Sequence, residues 1–345
     1  VNHLNRGREH VLSMSDNSSE NNMTQLAELN LHACIRAKKA VATREALEYI
    51  TVATQCLQEL EEELLWTKYY DLAVAVYKEL ADSYYLDSQF EQSRLTLAHI
   101  LGKCKTNLEK ANILLMYLVQ QNLKNELIEA IQTGVRAFAL CGIQVNGSSS
   151  DETFASNLQH EISELKTHVI SADWTVKVDT EKNLSPTDAT IVKIASALIP
   201  CTYTFDRKLC FLYSAMAARI FLMRGFSPQC AVIFSNLGSF LMCSDSNEDF
   251  QIGKQFANQA LQFCNSTSLA IENKATVYIL RAFMHWHKPI ATLLPFAQTG
   301  YELAQKSGNL QYAGYSYPIK CLIMHHMGLP IKNVIQVALE GLQIS

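Results

Sequence analysis

The sequence has few of the residues that interrupt regular structure. Only 13 of its 345 residues are glycine and 7 are proline. Sheet proteins need many turn residues, whereas long helices joined by short loops need few. The scarcity of both residues therefore disfavours an all-β fold and predicts a mostly helical one.

Charged residues are also scarce, at 18% of the chain against about 25% in an average soluble domain. The net charge is −4, and no long basic run is present, which argues against a nucleic-acid partner. Apolar residues make up 48%, too many for a disordered chain. We therefore expect a large buried core.

Long apolar runs and targeting signals are missing as well. The longest apolar stretch, residues 230–243, is interrupted by Ser235, Asn236 and Ser239 and is shorter than the about 20 residues that a membrane helix needs. The first residues do not resemble a secretory leader. The ten cysteines show no CxxC spacing and sit among apolar residues, as small buried side chains in a reducing compartment do. We expect a cytoplasmic protein without a membrane span.

Helical spacing is what the sequence does contain. From residue 24 to residue 143 apolar positions recur every three or four residues, which predicts an almost unbroken series of helices. One segment has the order of a tetratricopeptide repeat, namely large, small, aromatic, turn, aromatic, small, large and apolar: Leu80, Ala81, Tyr84, Ser88, Phe90, Ser93, Leu97 and Ile100. The small residues matter because two antiparallel helices approach closely only where facing side chains are small.

Weaker copies of this pattern occur on both sides of that segment. They are found at Ala46, Tyr49 and Ala53, at Leu118, Leu127, Ala130 and Ala137, at Leu237, Gly238, Phe250, Gly253, Ala257 and Ala260, and at Tyr312, Ala313, Gly314 and Tyr317. Repeated helix pairs stack into solenoids. The predicted fold is an all-α, tetratricopeptide-like solenoid of antiparallel helix pairs, with about sixteen to eighteen helices and a right-handed superhelix.

Polar and turn-forming stretches suggest four segments. These are an arm at 1–23 that contains a loop at 16–22, a first helical array at 24–145, a linker at 146–184 with one helix at 152–168, and a second array at 185–345. Trp174, Val176 and Val178 are expected to hold the irregular part of the linker against the body. Ser185 and Ser227 each precede a proline, a pattern that predicts helix starts.

Motifs for catalysis are absent from the sequence. A phosphate-binding loop ends in Lys-Ser or Lys-Thr after an earlier glycine, and residues 102–104 (GKC) lack both features.

The histidine pairs are poorly placed to bind a metal ion. His285 and His287 are two residues apart and would point about 200° apart on a helix, and the adjacent His325 and His326 share this problem. Hydrogen bonding or surface placement is favoured over metal binding, and no cofactor is expected. A hydrolase hidden in the helical stack is a minor alternative.

Several clusters are candidates for interaction. Arg36, Lys38, Lys39 and Arg44 form a candidate basic patch, which either binds an acidic peptide or a neighbouring domain or simply faces solvent. The acidic cluster at Glu59 and 61–63 is interpreted as a solvated helix end rather than an acid/base pair. Five tyrosines either line a groove or pack between helices: Tyr69, Tyr70, Tyr77, Tyr84 and Tyr85.

The chain also resembles a known family along most of its length. The matching stretches are 1–7 (VNHLNRG), 29–31 (LNL), 37–40 (AKKA), 46–49 (ALEY), 80–85 (LADSYY), 139–143 (ALCGI), 285–289 (HWHKP) and 307–315 (SGNLQYAGY). They resemble the tetratricopeptide-like helical region of large bacterial signalling ATPases. This is the AAA- or STAND-type family, often described as predicted ATPases or multi-sensor signal transduction histidine kinases, and residues 1–7 resemble the segment that closes its ATPase module.

The resemblance implies a non-catalytic regulatory region between catalytic domains. None of the family's nucleotide or phosphoacceptor motifs falls within this sequence, so His3 is not interpreted as a phosphorylated histidine. The first residue, Val1, and the end without a polar tail suggest a piece of a longer protein. The expected partners are the flanking domains and a protein or small ligand in the concave groove. The alternative is a free-standing tetratricopeptide-like adaptor, or a transcription-regulator or effector domain.

Overall fold

The computed structural model describes Asn5 and residues 17–145, 147–169, 178–266, 270–282, 284 and 288–343. In these ranges the regular structure consists of sixteen α-helices and a 3₁₀ helix, Ile290–Leu293, with one isolated bridge between Asn183 and Phe226. The predicted all-α class and the predicted number of helices are confirmed for the described residues.

The chain divides into two compact units, Val1–Gln120 and Gln121–Ser345. The helices of the first unit are α1 (Asn17–Lys39), α2 (Thr43–Gln58), α3 (Glu62–Thr67), α4 (Tyr70–Leu86), α5 (Phe90–Lys103) and α6 (Asn107–Leu123), and the boundary falls within α6. Helix α1 packs against α2, α4 packs against α5, and α2 also contacts α4. Their core includes Ala27, Ile50, Leu57 and Val76.

The second unit is larger. Its helices are α7 (Leu127–Leu140), α8 (Phe154–Val169), α9 (Pro186–Phe205), α10 (Arg207–Arg224), α11 (Gln229–Leu241), α12 (Asn247–Ser266), α13 (Ile271–Ala282), α14 (Leu294–Ser307), α15 (Leu310–His326) and α16 (Ile331–Leu342). Neighbours along the chain pack in pairs, for example α9 with α10, α11 with α12 and α13 with α14. Helices two apart also meet, namely α7 with α9, α8 with α10 and α11 with α13.

The repeat pattern seen in the sequence describes how α4 and α5 meet. Ala81 and Ser93 are fully buried, and the Ser93 hydroxyl donates a hydrogen bond of 2.7 Å to the Ala81 carbonyl oxygen on the facing helix. Ser88, the predicted turn residue, has a φ of 62°, in the left-handed region that tight turns use. The small residues therefore lie where the two helices touch.

Small residues also lie at close contacts in the second unit. Ala130 and Ala137 are fully buried on α7. A Cβ atom added to Gly134 of the same helix would stand 2.7 Å from the Leu198 methyl carbons of α9. Glycine at this position lets the side chain of Leu198 fill the space between the two helices.

The two predicted helix starts have different outcomes. Ser185 caps α9 as predicted, because its Oγ accepts a hydrogen bond of 3.1 Å from the Asp188 backbone NH, and Pro186 is the first helical residue. Helix α11 instead begins at Gln229 with Pro228 as the cap residue and no side-chain cap bond. The Ser227 hydroxyl, one residue before the cap position, donates to the Gln229 side-chain oxygen at 2.9 Å.

The predicted loop at 16–22 is wrong for residues 17–22, which form the first turns of α1. The Asn and Ser residues of this stretch favour turns. Met23, Leu26 and Ala27, however, are buried in the core, and their packing stabilises α1 as a whole, including the polar turns that precede them. Trp174 and Val176 lie outside the described residues, and Val178 is half-buried. The segment boundaries at 145 and 185 stay predictions.

Helix α16 has no buried residue. Its predicted bounds, 331–342, are confirmed. Ile331, Ile335, Leu339 and Leu342 form a stripe along one face with exposed fractions of 62%, 52%, 56% and 73%.

Throughout the described part of the chain, every helix is too short or too polar to cross a membrane.

Candidate interaction site

The four residues of the predicted basic patch lie where α1 ends and α2 begins. Arg36 and Lys39 are exposed in the last turn of α1, and Arg44 is exposed in the first turn of α2. The short connection between the helices contains Val41, which is 82% exposed and has a φ of 60°. Three of the four cations are therefore exposed to solvent around the connection between α1 and α2.

Lys38 differs from the other three because it is turned toward α4. Its Nζ donates to Glu79 Oε2 at 2.7 Å and to the Asp82 carboxylate. Burial alone would lower the pKa of Lys38, but the charge of Asp82 and the two carboxylate hydrogen bonds outweigh it and raise the pKa. Lys38 thus joins α1 to α4 within the first unit, and its charge is already balanced.

A groove of about 440 Å³ lies between α2, α4 and α5. It lies wholly within the first unit, and residues from all three helices surround its open space. Its lining is mostly hydroxyl, amide and aromatic: Thr51, Thr54, Gln55, Gln58, Tyr77, Leu80, Tyr84, Leu95, Thr96 and His99. We refer to it as the first-unit groove.

The polar side chains of the groove arise from helical spacing. Thr51, Gln55 and Gln58 lie on one face of α2 at intervals of four and three residues, and Thr96 and His99 lie three apart on α5. Thr51 and Thr54 donate to the carbonyls of Leu47 and Ile50 at 2.7 and 2.9 Å, which leaves their oxygens as acceptors. The groove accordingly offers uncharged hydrogen-bonding groups.

An aromatic cluster closes one side of the groove. The Trp66 ring stacks on Tyr77 with centroids 5.7 Å apart and an interplanar angle of 24°. His99 lies 5.6 Å from Trp66 and 5.3 Å from Tyr77. Lys103 lies over the Trp66 ring at 5.5 Å and bonds to Glu62 at 2.6 Å. Four helices of the first unit contribute to this groove and its aromatic wall.

Burial and charge set the protonation of this cluster. Burial, and then the nearby Lys103 cation, lower the pKa of His99 below its ordinary 6.5. Burial raises the pKa of Tyr77 above its ordinary 10, although a hydrogen bond with Gln58 opposes the rise. Both side chains are therefore neutral at pH 7, which suits them to hydrogen bonding and stacking.

The five candidate tyrosines divide between the two interpretations made from sequence. Tyr77 and Tyr84 line the groove. The hydroxyl of Tyr70 accepts from the Lys105 backbone NH at 3.0 Å, and the Tyr69 hydroxyl donates to Glu20. The ring of Tyr85 packs against Phe90 at a tilt of 60°, with centroids 5.2 Å apart. The last three tyrosines join elements within the first unit.

Among the described residues, the other candidates for metal binding or catalysis are exposed to solvent, or are thiols that stay protonated. His325 and His326 are exposed in the last turn of α15, and His285 and His287 lie outside the described residues. Glu59, Glu61 and Glu63 are exposed, and Glu62 pairs with Lys103. Burial raises the pKa of Cys210 to about 11, so this thiol is protonated at neutral pH. In the described ranges, no three His, Cys, Asp or Glu side chains group as a metal site.

Sequence reasoning missed Gln55, Gln58 and His99 as groove residues, and Trp66 as the ring that packs against Tyr77 and His99. The signal was present in part, because Thr51, Gln55 and Gln58 recur at helical spacing on α2. Which three helices surround that face depends on tertiary packing and has no local signature. No model of a protein family matches the chain, and no curated protein matches it.

Proposed function

We propose that this chain is a non-catalytic regulatory and protein-interaction region of a larger signal-transduction ATPase or kinase. The proposal rests on the family resemblance described for the sequence and on one structural observation. That observation is the uncharged, aromatic-walled groove between α2, α4 and α5. In this proposal the helix pairs continue as an α-solenoid with a right-handed superhelix.

The groove suits an extended peptide segment with few charges. Peptide groups present NH donors and carbonyl acceptors that hydroxyl and amide side chains such as Thr51 and Gln58 can satisfy. A charged ligand group would lose its hydration there without gaining an opposite charge from the lining residues. The Tyr77 ring, with Trp66 stacked on it, supplies an apolar surface for one ligand side chain. We propose that the segment belongs to a flanking domain of the same larger protein.

The exposed cations around the connection between α1 and α2 would supply a second contact. Arg36, Lys39 and Arg44 are exposed around the end of α1, and exposed cations steer an acidic surface mainly through the rate of association. Lys38 takes no part in this contact, because Glu79 and Asp82 already balance its charge. Removal of the three exposed cations would therefore weaken binding most at low ionic strength.

Regulation then follows from differential affinity. A segment that binds the groove in only one arrangement of the flanking domains stabilises that arrangement by the difference between its two binding free energies, and by no more than that. The catalysis would belong to the flanking domains. This is the sense in which the helical region relays a signal.

The alternative is a free-standing adaptor or a transcription-regulator or effector domain. The gene upstream of Val1 discriminates between the two. An ATPase with a phosphate-binding loop supports the main proposal, whereas a short leader supports the alternative. Where the ATPase is present, binding of the purified chain to the recombinant flanking domains tests the proposal directly. Absence of binding and of crosslinks to these domains would overturn it.

A further inference from the structure

A second cavity, of about 580 Å³, lies inside the second unit. The loop after α7 and helices α8, α9 and α10 surround it. Part of its wall is apolar and comes from α10, including Leu212, Met216 and Ile220. The rest of the wall is mainly polar, with Asn157 and His160 among its residues, and it carries two ion pairs. These ion pairs are the feature that points to a ligand.

The first ion pair joins α8 to α10. Arg219 donates from Nε to Glu161 Oε2 at 2.7 Å and from Nη2 to Glu161 Oε1 at 3.1 Å. Glu161 is only 8% exposed. Such a two-pronged arginine–carboxylate contact is among the stronger polar contacts in proteins, so this pair fixes one side of the cavity.

The second ion pair joins α9 to α10 and is more open. Asp188, which is 7% exposed, accepts from Arg224 Nη1 at 2.6 Å and from the Ser185 hydroxyl at 2.8 Å. Only one nitrogen of Arg224 takes part in this contact, and 55% of the Arg224 side chain is exposed. The guanidinium therefore has donors that can face a ligand while the group stays beside Asp188.

Each of the two ion pairs in the cavity wall joins an arginine to a carboxylate, and together they determine which charges a ligand must carry. A purely anionic ligand would draw an arginine away and leave a buried carboxylate without a counter-charge, which is strongly unfavourable. A purely cationic ligand would face the like charge of the arginine beside the carboxylate. A ligand with both charges can insert into the open pair and satisfy each member of it. An uncharged ligand would form only hydrogen bonds with one charged partner, which are weaker than those between two opposite charges.

We propose that this cavity binds a free α-amino acid with an apolar side chain. Its carboxylate binds Arg224, its ammonium group binds Asp188, and its side chain lies against Met216 and Leu212. The Arg219–Glu161 pair stays intact and holds α8 in place. This proposal goes beyond the interaction function, because it makes the second unit a small-molecule sensor whatever binds the first-unit groove.

Isothermal titration of the purified full chain tests the proposal. The probes are leucine, isoleucine, valine, methionine and phenylalanine, each compared with its N-acetyl derivative and its amide, which lack one of the two charges. At least one amino acid is expected to bind, with both of its derivatives weaker by about 10-fold or more, because each loses a charge-assisted hydrogen bond. Absence of binding by all five, or equal affinity for the derivatives, overturns the proposal.

Variants supply the second arm of the experiment. Arg224→Gln is expected to weaken amino-acid binding by about 10-fold or more, since the amide lacks the charge that binds the carboxylate. Arg94→Gln is the matched control, because Arg94 pairs with Glu91 on an exposed face of the first unit. Equal affinity of the two variants would contradict the assigned site. The derivative series uses the unchanged chain, so it decides the question even where Arg224→Gln impairs folding.

Discussion

Gly238 and Gly253 lie face to face at the contact of α11 with α12. A Cβ atom on Gly238 would stand 2.7 Å from the Gly253 carbonyl oxygen, and a Cβ on Gly253 would stand 2.8 Å from the Gly238 carbonyl oxygen. Backbone is the obstacle in both cases, so no side-chain rotation can make room. At this point the two helices are as close as their main chains allow.

Gly238→Ala is expected to destabilise the second unit despite the better helix propensity of alanine. Propensity alone would stabilise the helix by about 1 kcal/mol. Separation of two packed helices costs about 1–3 kcal/mol or more, and a net loss of unfolding free energy should appear in urea denaturation. Gly253→Ala should behave in the same way.

Gly314→Ala is the control for that experiment. Gly314 lies inside α15, and no heavy atom lies within 4 Å of an added Cβ. Here only propensity acts, and the variant should be more stable by about 0.5–1 kcal/mol. A stabilising effect at all three glycines would show that α11 and α12 are not in contact as described.

Ala81→Leu should destabilise the first unit more than Ser93→Ala does. Ser93→Ala removes the hydrogen bond to the Ala81 carbonyl and the one accepted from the Gln120 Nε2 at 2.9 Å. Alanine gains helix propensity in return, so the net loss should be about 1 kcal/mol. Ala81→Leu forces a large side chain into the contact of α4 with α5 and should cost about 1–3 kcal/mol or more. Thermal and urea unfolding of both variants measures the order, and the reverse order would contradict the packing of these two helices.

Removal of Lys103 is expected to raise the pKa of His99. Burial and the Lys103 cation lower that pKa, whereas the Glu62 carboxylate raises it. NMR titration should therefore show an upward shift in Lys103→Met and a downward shift in Glu62→Gln. Shifts of the opposite sign would contradict the arrangement of this aromatic wall.

The His99 shift also has a consequence for stability. Its pKa is lower in the folded chain than in the unfolded chain, where it is about 6.5. As the pH falls through 6.5 the unfolded state binds more protons, so the stability contributed by neutral His99 decreases toward acid. In His99→Gln this part of the pH dependence should vanish, as urea unfolding at pH 7.5 and pH 5.5 can show.

Two isoleucines should respond oppositely to truncation. Ile279 is 1% exposed in the core of the second unit, and Ile279→Ala should cost about 2–5 kcal/mol. Ile335 is 52% exposed on α16, and Ile335→Ala should change stability by less than about 0.5 kcal/mol. A comparable loss of stability in Ile335→Ala, measured on a dilute, monomeric sample, would show that the apolar stripe of α16 is covered.

The helices and their close contacts could be predicted from sequence because they depend on local patterns. Ala81, Ser93 and Gly253 are small residues at helical spacing, and the structure buries all three. The start of α9 could also be predicted from sequence, because Ser185 as cap and Pro186 as first helical residue both act within the first turn of the helix.

The sites were harder to predict because they depend on helices far apart in sequence. Lys38 looks like its exposed neighbours in the sequence, yet it bonds to carboxylates 41 and 44 positions away. The cavity ion pairs join residues separated by 58 and 36 positions. Such pairings follow from the packing of whole helices, which no single segment encodes.

The most direct test of the proposed interaction role is the affinity of the chain for its recombinant flanking domains. Gln58 lines the first-unit groove and Gln92 lies exposed on α5 outside it, so Gln58→Lys and Gln92→Lys make the same change at two places. We predict that Gln58→Lys weakens binding by about 10-fold or more, because the new charge loses its hydration on binding, while Gln92→Lys leaves it unchanged. Equal affinity of both variants and the unchanged chain would contradict the account.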